Sequence, residues 1–251
     1  MVLDSAVKAT DNFKKLTSTI SRGFTSPAIL LSLALAACTL PVTIPEDTEI
    51  KKETGAIAEV QKEDFTETLR KLNAKVLNSS GSVRFLENGI LEIGKERAPI
   101  LTVFTEYHSS YSGEFNRYFM PRLQEDFMNR NDLRVRFVNF PLKKYPNSED
   151  IAKGLICAGK MEKGLQMHEL LTLKQEEKRL TSIDYVEDLG VDPTEFEQCL
   201  ESEDVQKILD NQKAIADELG VEVVPTFFLE GEKIVGLPYY PDLRGWIKDK
   251  L

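Results

Sequence analysis

Apolar residues follow three different spacings along the chain, and each predicts a different element. Residues 27–37 form an uncharged, mostly apolar run of 11 residues, too short for the roughly 20 a membrane-spanning helix needs. Between residues 59 and 80, Val60, Phe65, Leu69, Leu72 and Val76 recur near helical spacing on a charged background, which predicts an amphipathic helix. Residues 83–93 alternate on both sides of Asn88-Gly89, a strong hairpin signal. Residues 100–107 form a nearly continuous β-forming run after Pro99, as expected of a buried, central strand. Phe115, Phe119, Leu123 and Phe127 then recur every four residues, predicting a helix to residue 130, and residues 133–140 alternate again up to Pro141. Strand, helix, strand makes a βαβ unit with a parallel crossover. Residues 148–219 are helical in pattern, broken at Gly190-Val191-Asp192-Pro193. A hairpin centred on Gly231 and a closing helix from Tyr240 complete an α/β chain.

Composition narrows the function classes. The 251 residues are 41% hydrophobic, enough for a folded core, and the net charge of -9 lacks the basic excess that draws proteins to nucleic acid. Two histidines and three cysteines, Cys38, Cys157 and Cys199, are too few and too scattered for a structural metal site, so no metal is expected.

The apolar run changes the picture of where the protein works. Lys8, Lys14, Lys15 and Arg22 precede it, and Leu35-Ala36-Ala37-Cys38 follows the lipobox pattern of bacterial lipoproteins, in which the cysteine sulfur carries the lipid. The expected organisation is a signal peptide over residues 1–37, a lipid-anchored linker over 38–58, the amphipathic helix over 59–80 and one domain over 81–251. A longer than usual basic region containing Asp4 and Asp11 speaks for an anchor helix instead. Either reading places the domain outside the cytosol, at a bacterial membrane, facing the periplasm or the cell exterior. Lipidation of Cys38 would leave Cys157 and Cys199 as an even pair. One structural disulfide or two separate buried thiols would satisfy that count.

The element order acquires a specific resemblance at Phe104-Thr105-Glu106-Tyr107-His108-Ser109-Ser110-Tyr111-Ser112. The DsbA-like thiol-disulfide oxidoreductases typically carry Phe-Ser-Asp-Tyr-x-Cys-Pro-Tyr-Cys at the end of the first domain strand. Asn139-Phe140-Pro141-Leu142, Met167-His168-Glu169-Leu170-Leu171, Phe196-Glu197-Gln198-Cys199-Leu200 and Val224-Pro225-Thr226-Phe227-Phe228 extend the likeness over residues 90–251. The resemblance implies a thioredoxin-like fold with a helical insertion over about residues 148–219, a cis-proline at Pro225 beside the active-site turn, and a structural disulfide between Cys157 and Cys199. It implies no organic cofactor. The usual Gly-Thr before the proline is Val223-Val224 here, which alters the peptide-binding edge.

The same resemblance places Ser109 and Ser112 where relatives carry their redox cysteines, and Ser110 where they carry proline. An active member stabilises a thiolate at the helix N-terminus, and that thiolate attacks a substrate disulfide. Serine keeps the size and the N-capping ability but cannot form a disulfide, so the site should be redox-inactive. Natural loss of activity and deliberate replacement of active cysteines both account for the serines. A redox-inactive relative would keep the groove around His108, Ser110, Tyr111, Val224 and Pro225 for exported proteins or extended peptides. A third, remote reading is a serine hydrolase in which His108 activates Ser109 and Glu106 orients the imidazole. Adjacent residues rarely achieve that geometry, and no Gly-x-Ser-x-Gly turn is present. His168, inside a helical stretch, is expected to pack or hydrogen-bond rather than to bind a ligand.

Overall fold

The structure, a computed structural model, describes residues 65–175 and 181–251. The expected signal peptide, Cys38, the linker and residues 59–64 lie outside the described residues. The first described helix, α1, covers only Thr66–Arg70, and Val76, expected on a helical face, instead opens strand β1 (Val76–Ser80). The helix expected over residues 59–80 is therefore corrected. Residues 76–80 pair antiparallel with β2 (Val83–Leu86) through the turn at Gly81, whose φ of 59° suits glycine, and that pairing overrides the helical spacing of the apolar residues.

Strand β2 turns into β3 (Leu91–Gly94) at Asn88-Gly89, as the alternation predicted. Gly89 has a φ of 77° and donates its N–H to the Leu86 carbonyl. The strand β4 (Ile100–Thr105) runs parallel to β5 (Arg134–Asn139), with Val103 opposite Phe137. The connection between them begins earlier than the four-residue spacing suggested. It comprises α2 (Ser110–Glu114), a π-helical turn over Phe115–Phe119 and α3 (Met120–Asp126). Pro121 accounts for the wide turn, because it has no N–H to donate and its ring crowds the carbonyl four residues back.

The helical insertion consists of α4 (Ser148–Lys160), α5 (Gly164–Leu173), a 3-10 turn over Ser182–Tyr185, α6 (Val186–Leu189), α7 (Pro193–Leu200) and α8 (Glu203–Glu218). Its break falls where predicted. Gly190 ends α6 in the left-handed region, Asp192 accepts the Glu195 N–H at 2.9 Å as N-cap, and Pro193 opens α7. The chain closes with β6 (Thr226–Leu229), β7 (Glu232–Val235) and α9 (Tyr240–Lys250). All seven strands form one sheet in the order β1-β2-β3-β5-β4-β6-β7, so β4 is an interior strand and β5 is the middle one.

Strand alternation divides the core between the two sheet faces. Leu101, Val103, Val135, Phe137 and Phe227 pack with Phe115, Leu123, Leu155 and Ile247 on one side. Phe104, Val138 and Phe228 pack with Phe65, Leu72 and Leu219 on the other. Fully burying a side chain of this size is worth about 1.5–3 kcal/mol. The aromatic layer under α2 therefore holds the end of β4 firmly, and the candidate site is built on that end. A disulfide joins Cys157 of α4 to Cys199 of α7, with Cα atoms 5.8 Å apart.

Candidate functional site

Strand β4 ends in a buried turn that delivers Ser109 to the start of α2. Ser109 has the extended backbone of an N-cap, with φ of -74° and ψ of 121°, and its carbonyl accepts the Gly113 N–H at 3.0 Å. Its hydroxyl makes no capping bond, so the N-capping expected of it is realised by backbone shape alone. Ser112 is fully buried, and its Oγ accepts the Glu106 N–H at 3.4 Å. Between them, Tyr111 is 61% exposed. The two serines thus occupy a helix start and are both buried.

Register brings the proline to this turn. Phe104 pairs with Thr226 across β4 and β6, which puts Pro225 level with Thr105 at the end of the sheet where the serine turn lies. The Val224-Pro225 bond is cis, as the resemblance implied. Val223 is 46% exposed and Val224 is buried. The Val223 carbonyl accepts from Thr226 Oγ1 at 2.6 Å, whereas the backbone of Val224 makes no hydrogen bond among the described residues.

The histidines have separate roles. His108 donates through Nδ1 to Glu106 Oε1 at 2.8 Å and stacks on Tyr145 at 5.6 Å between ring centroids. Ser148 also donates to Glu106 Oε1, at 2.9 Å. Glu106 is buried, and its Oε2 has no partner among the described residues. A carboxylate thus orients an imidazole, but no hydrogen bond joins that imidazole to Ser109, Ser110 or Ser112 among the described residues, and a hydrolase triad is not assembled. His168 is buried and accepts the Tyr107 hydroxyl at Nδ1 over 2.7 Å. Burial pushes its pKa down to about 4, so the ring is neutral, while burial and the nearby Glu106 charge raise the Tyr107 phenol. It is a packing and hydrogen-bonding histidine.

Sequence reasoning missed the brace over the turn. Gln175, just beyond α5, donates through Nε2 to the carbonyls of Tyr107 and Ser109, at 2.7 Å each, and its Oε1 accepts from Arg117 at 2.8 Å. Gly113 makes room for it, since a Cβ there would lie 1.8 Å from Gln175 Oε1. The glycine one residue after Ser112 was the available signal. Nothing in spacing identifies Gln175, which reaches the turn from 66 residues away. Among the described residues, no cluster of three metal-ligating side chains is present, and no helix is long and apolar enough to cross a membrane.

Known proteins agree with this architecture. A family model described as thioredoxin matches residues 87–249. The oxidised crystal structure of BdbD from Bacillus subtilis is 21% identical, covering 69% of this chain and 98% of its own, with a TM-score of 0.59. The catalytic domain of Proteus mirabilis ScsC is 18% identical over 74% of this chain and 96% of its own, with a TM-score of 0.57. Wolbachia pipientis alpha-DsbA1 is 18% identical over 63% of this chain and 89% of its own, with a TM-score of 0.55. No curated protein matches the chain in sequence. With one sheet carrying a βαβ unit, a helical insertion, a proline-led hairpin and a last helix, the fold is that of the DsbA-type structures, and the chain belongs to the thioredoxin family.

Proposed function

We propose that this protein is an exported, membrane-anchored relative of the DsbA-like oxidoreductases that has lost thiol-disulfide exchange and holds extended segments of other exported proteins. The observation that carries the reading is the pairing of intact surroundings with absent sulfur. Ser109 and Ser112 sit at the helix start, at the end of the sheet where the β4/β6 register places cis-Pro225, and the two cysteines among the described residues, Cys157 and Cys199, are joined to each other in the helical insertion. An extended peptide laid beside Pro225 would find the backbone of Val224, which is unpaired among the described residues, the half-exposed Val223 and the exposed ring of Tyr111. Main-chain pairing with such an edge supplies affinity, and side-chain pockets supply preference. Export and anchoring rest on the lipobox ending at Cys38.

Fluorescence anisotropy with a labelled, cysteine-free, apolar extended peptide tests the binding. Saturable binding that weakens at least tenfold in Val223→Asp is the expected result. No binding, or equal binding by the variant, would contradict the peptide-holding role. Anchoring is tested separately by mass spectrometry of the mature N-terminus from a membrane fraction, where a diacylated Cys38 is expected.

A further inference from the structure

On the sheet face that carries Phe104 and Phe228, one carboxylate is surrounded by three guanidinium groups. Cross-strand register creates the cluster, since Arg84 of β2 lies opposite Glu92 of β3, and Glu92 lies opposite Arg136 of β5. Arg134, two residues before Arg136, points to the same face. Glu92 Oε1 accepts from Arg136 Nε at 2.8 Å, while Oε2 accepts from both Arg84 Nε at 3.3 Å and Arg134 Nη1 at 3.0 Å. Arg136 also donates to Asn73 Oδ1 at 2.8 Å.

The charges do not balance. Among the described residues three cations meet a single anion, and Arg84 and Arg136 are only 8% and 4% exposed. Arg84 Nη2 and Arg134 Nε are shielded from solvent and have no hydrogen-bond partner among the described residues. A buried N–H of a charged group without an acceptor is strongly unfavourable, even where the ion pairs through its other donors. Glu96 acts on Arg134 at longer range but is exposed, so water screens it. Because Arg84 and Arg134 donate to the same Glu92 oxygen, their guanidinium groups are neighbours. Arg134 is the most open of the three, with 17% of its side chain exposed.

We propose that this cluster is a binding site for a small oxyanion of charge close to two, of the phosphate or sulfate type, held by Arg84 and Arg134 with Arg136 behind them. The excess of two positive charges sets the charge of the ligand, and the planar donor edges of guanidinium suit paired oxygens on one central atom. The site is on the opposite sheet face from the layer under α2, and it does not depend on the peptide-holding reading.

The test is thermal unfolding of the full chain against inorganic phosphate at constant ionic strength, with chloride as the balancing anion, followed by titration calorimetry with phosphate. The expected result is a saturable rise in Tm, one phosphate per chain, and at least tenfold weaker binding in Arg84→Met, which still leaves Glu92 with two cationic partners. Should Arg84→Met not fold, Arg134→Met at the rim is measured instead, with the same loss expected. A Tm no more sensitive to phosphate than to chloride would overturn the proposal. So would an affinity that the variant retains, because phosphate would then be bound elsewhere. Repeating the titration with sulfate separates a general tetrahedral-dianion site, with affinities within a few-fold, from a phosphate-selective one, and either result supports the oxyanion class.

Discussion

Gln175 donates its side-chain amide to the carbonyl of Ser109 at 2.7 Å, so a residue beyond α5 determines the shape of the turn that begins α2. The same amide holds Tyr107, and Gly113 lies directly under it. Gln175→Ala removes both bonds and should destabilise the fold by about 1–3 kcal/mol, because the Tyr107 carbonyl loses this partner and the Ser109 carbonyl keeps only the Gly113 N–H. Gly113→Ala pushes the Gln175 amide aside and should have a similar effect. In the double variant the two losses should not add, which denaturant unfolding of the four proteins of the cycle will show. Additive losses would mean that Gly113 and Gln175 act independently.

The Tyr107–His168 pair makes stability depend on pH. The folded-state pKa of His168 is lowered from 6.5 to about 4, whereas the unfolded chain takes up its proton near 6.5. Between those values the unfolded state binds more protons, so stability falls as pH drops through 6.5 and levels off below about 4. The loss over that window is roughly 3 kcal/mol. Urea unfolding across pH 4–7 should show this slope, and His168→Gln should flatten it.

Much of this architecture is legible in the sequence. The Asn88-Gly89 hairpin, the continuous run of β4 and the Gly190 to Pro193 break follow local rules of turn chemistry and strand pattern, and each occurs where those rules put it. The helix over residues 59–80 did not survive, because Val76 gains more from pairing with Leu86 than from a helical face. Ser109, Ser112 and Pro225 could be located through their motif. The Gln175 brace and the Glu92 cluster could not, since they join strands and loops far apart in sequence. The charged alternation at Arg134 and Arg136 did show, in principle, that one face of β5 carries charge inside the sheet.

The disulfide should contribute to stability through the unfolded chain. Closing a loop with a sequence separation of 42 residues is worth about 4 kcal/mol in the chain-entropy model. Cys157→Ala/Cys199→Ala, compared with the unmodified protein by denaturant unfolding, should lose most of that stability. Mild reductant should destabilise the unmodified protein and leave the double variant unaffected.

Glu92 should be the most sensitive carboxylate on the sheet. Glu92→Gln leaves three guanidinium groups facing one another, and a loss of about 3–5 kcal/mol is expected. By contrast, Asp132→Asn breaks an exposed pair with Arg130 and should change stability by less than 1 kcal/mol. Thermal unfolding of the two variants side by side checks the contrast.

The account rests on a redox scaffold without its sulfur, and a thiol-disulfide exchange assay tests it most directly. The unmodified chain and Ser109→Cys/Ser112→Cys would be incubated with a reduced, disulfide-requiring substrate under an oxidant, and substrate oxidation followed over time. The account predicts no acceleration by the unmodified chain and clear acceleration by the double variant, whose thiols would lie at the helix start, at the end of the sheet that also carries cis-Pro225. Catalysis by the unmodified chain would contradict the account, because exchange would then run through a group other than the two serines.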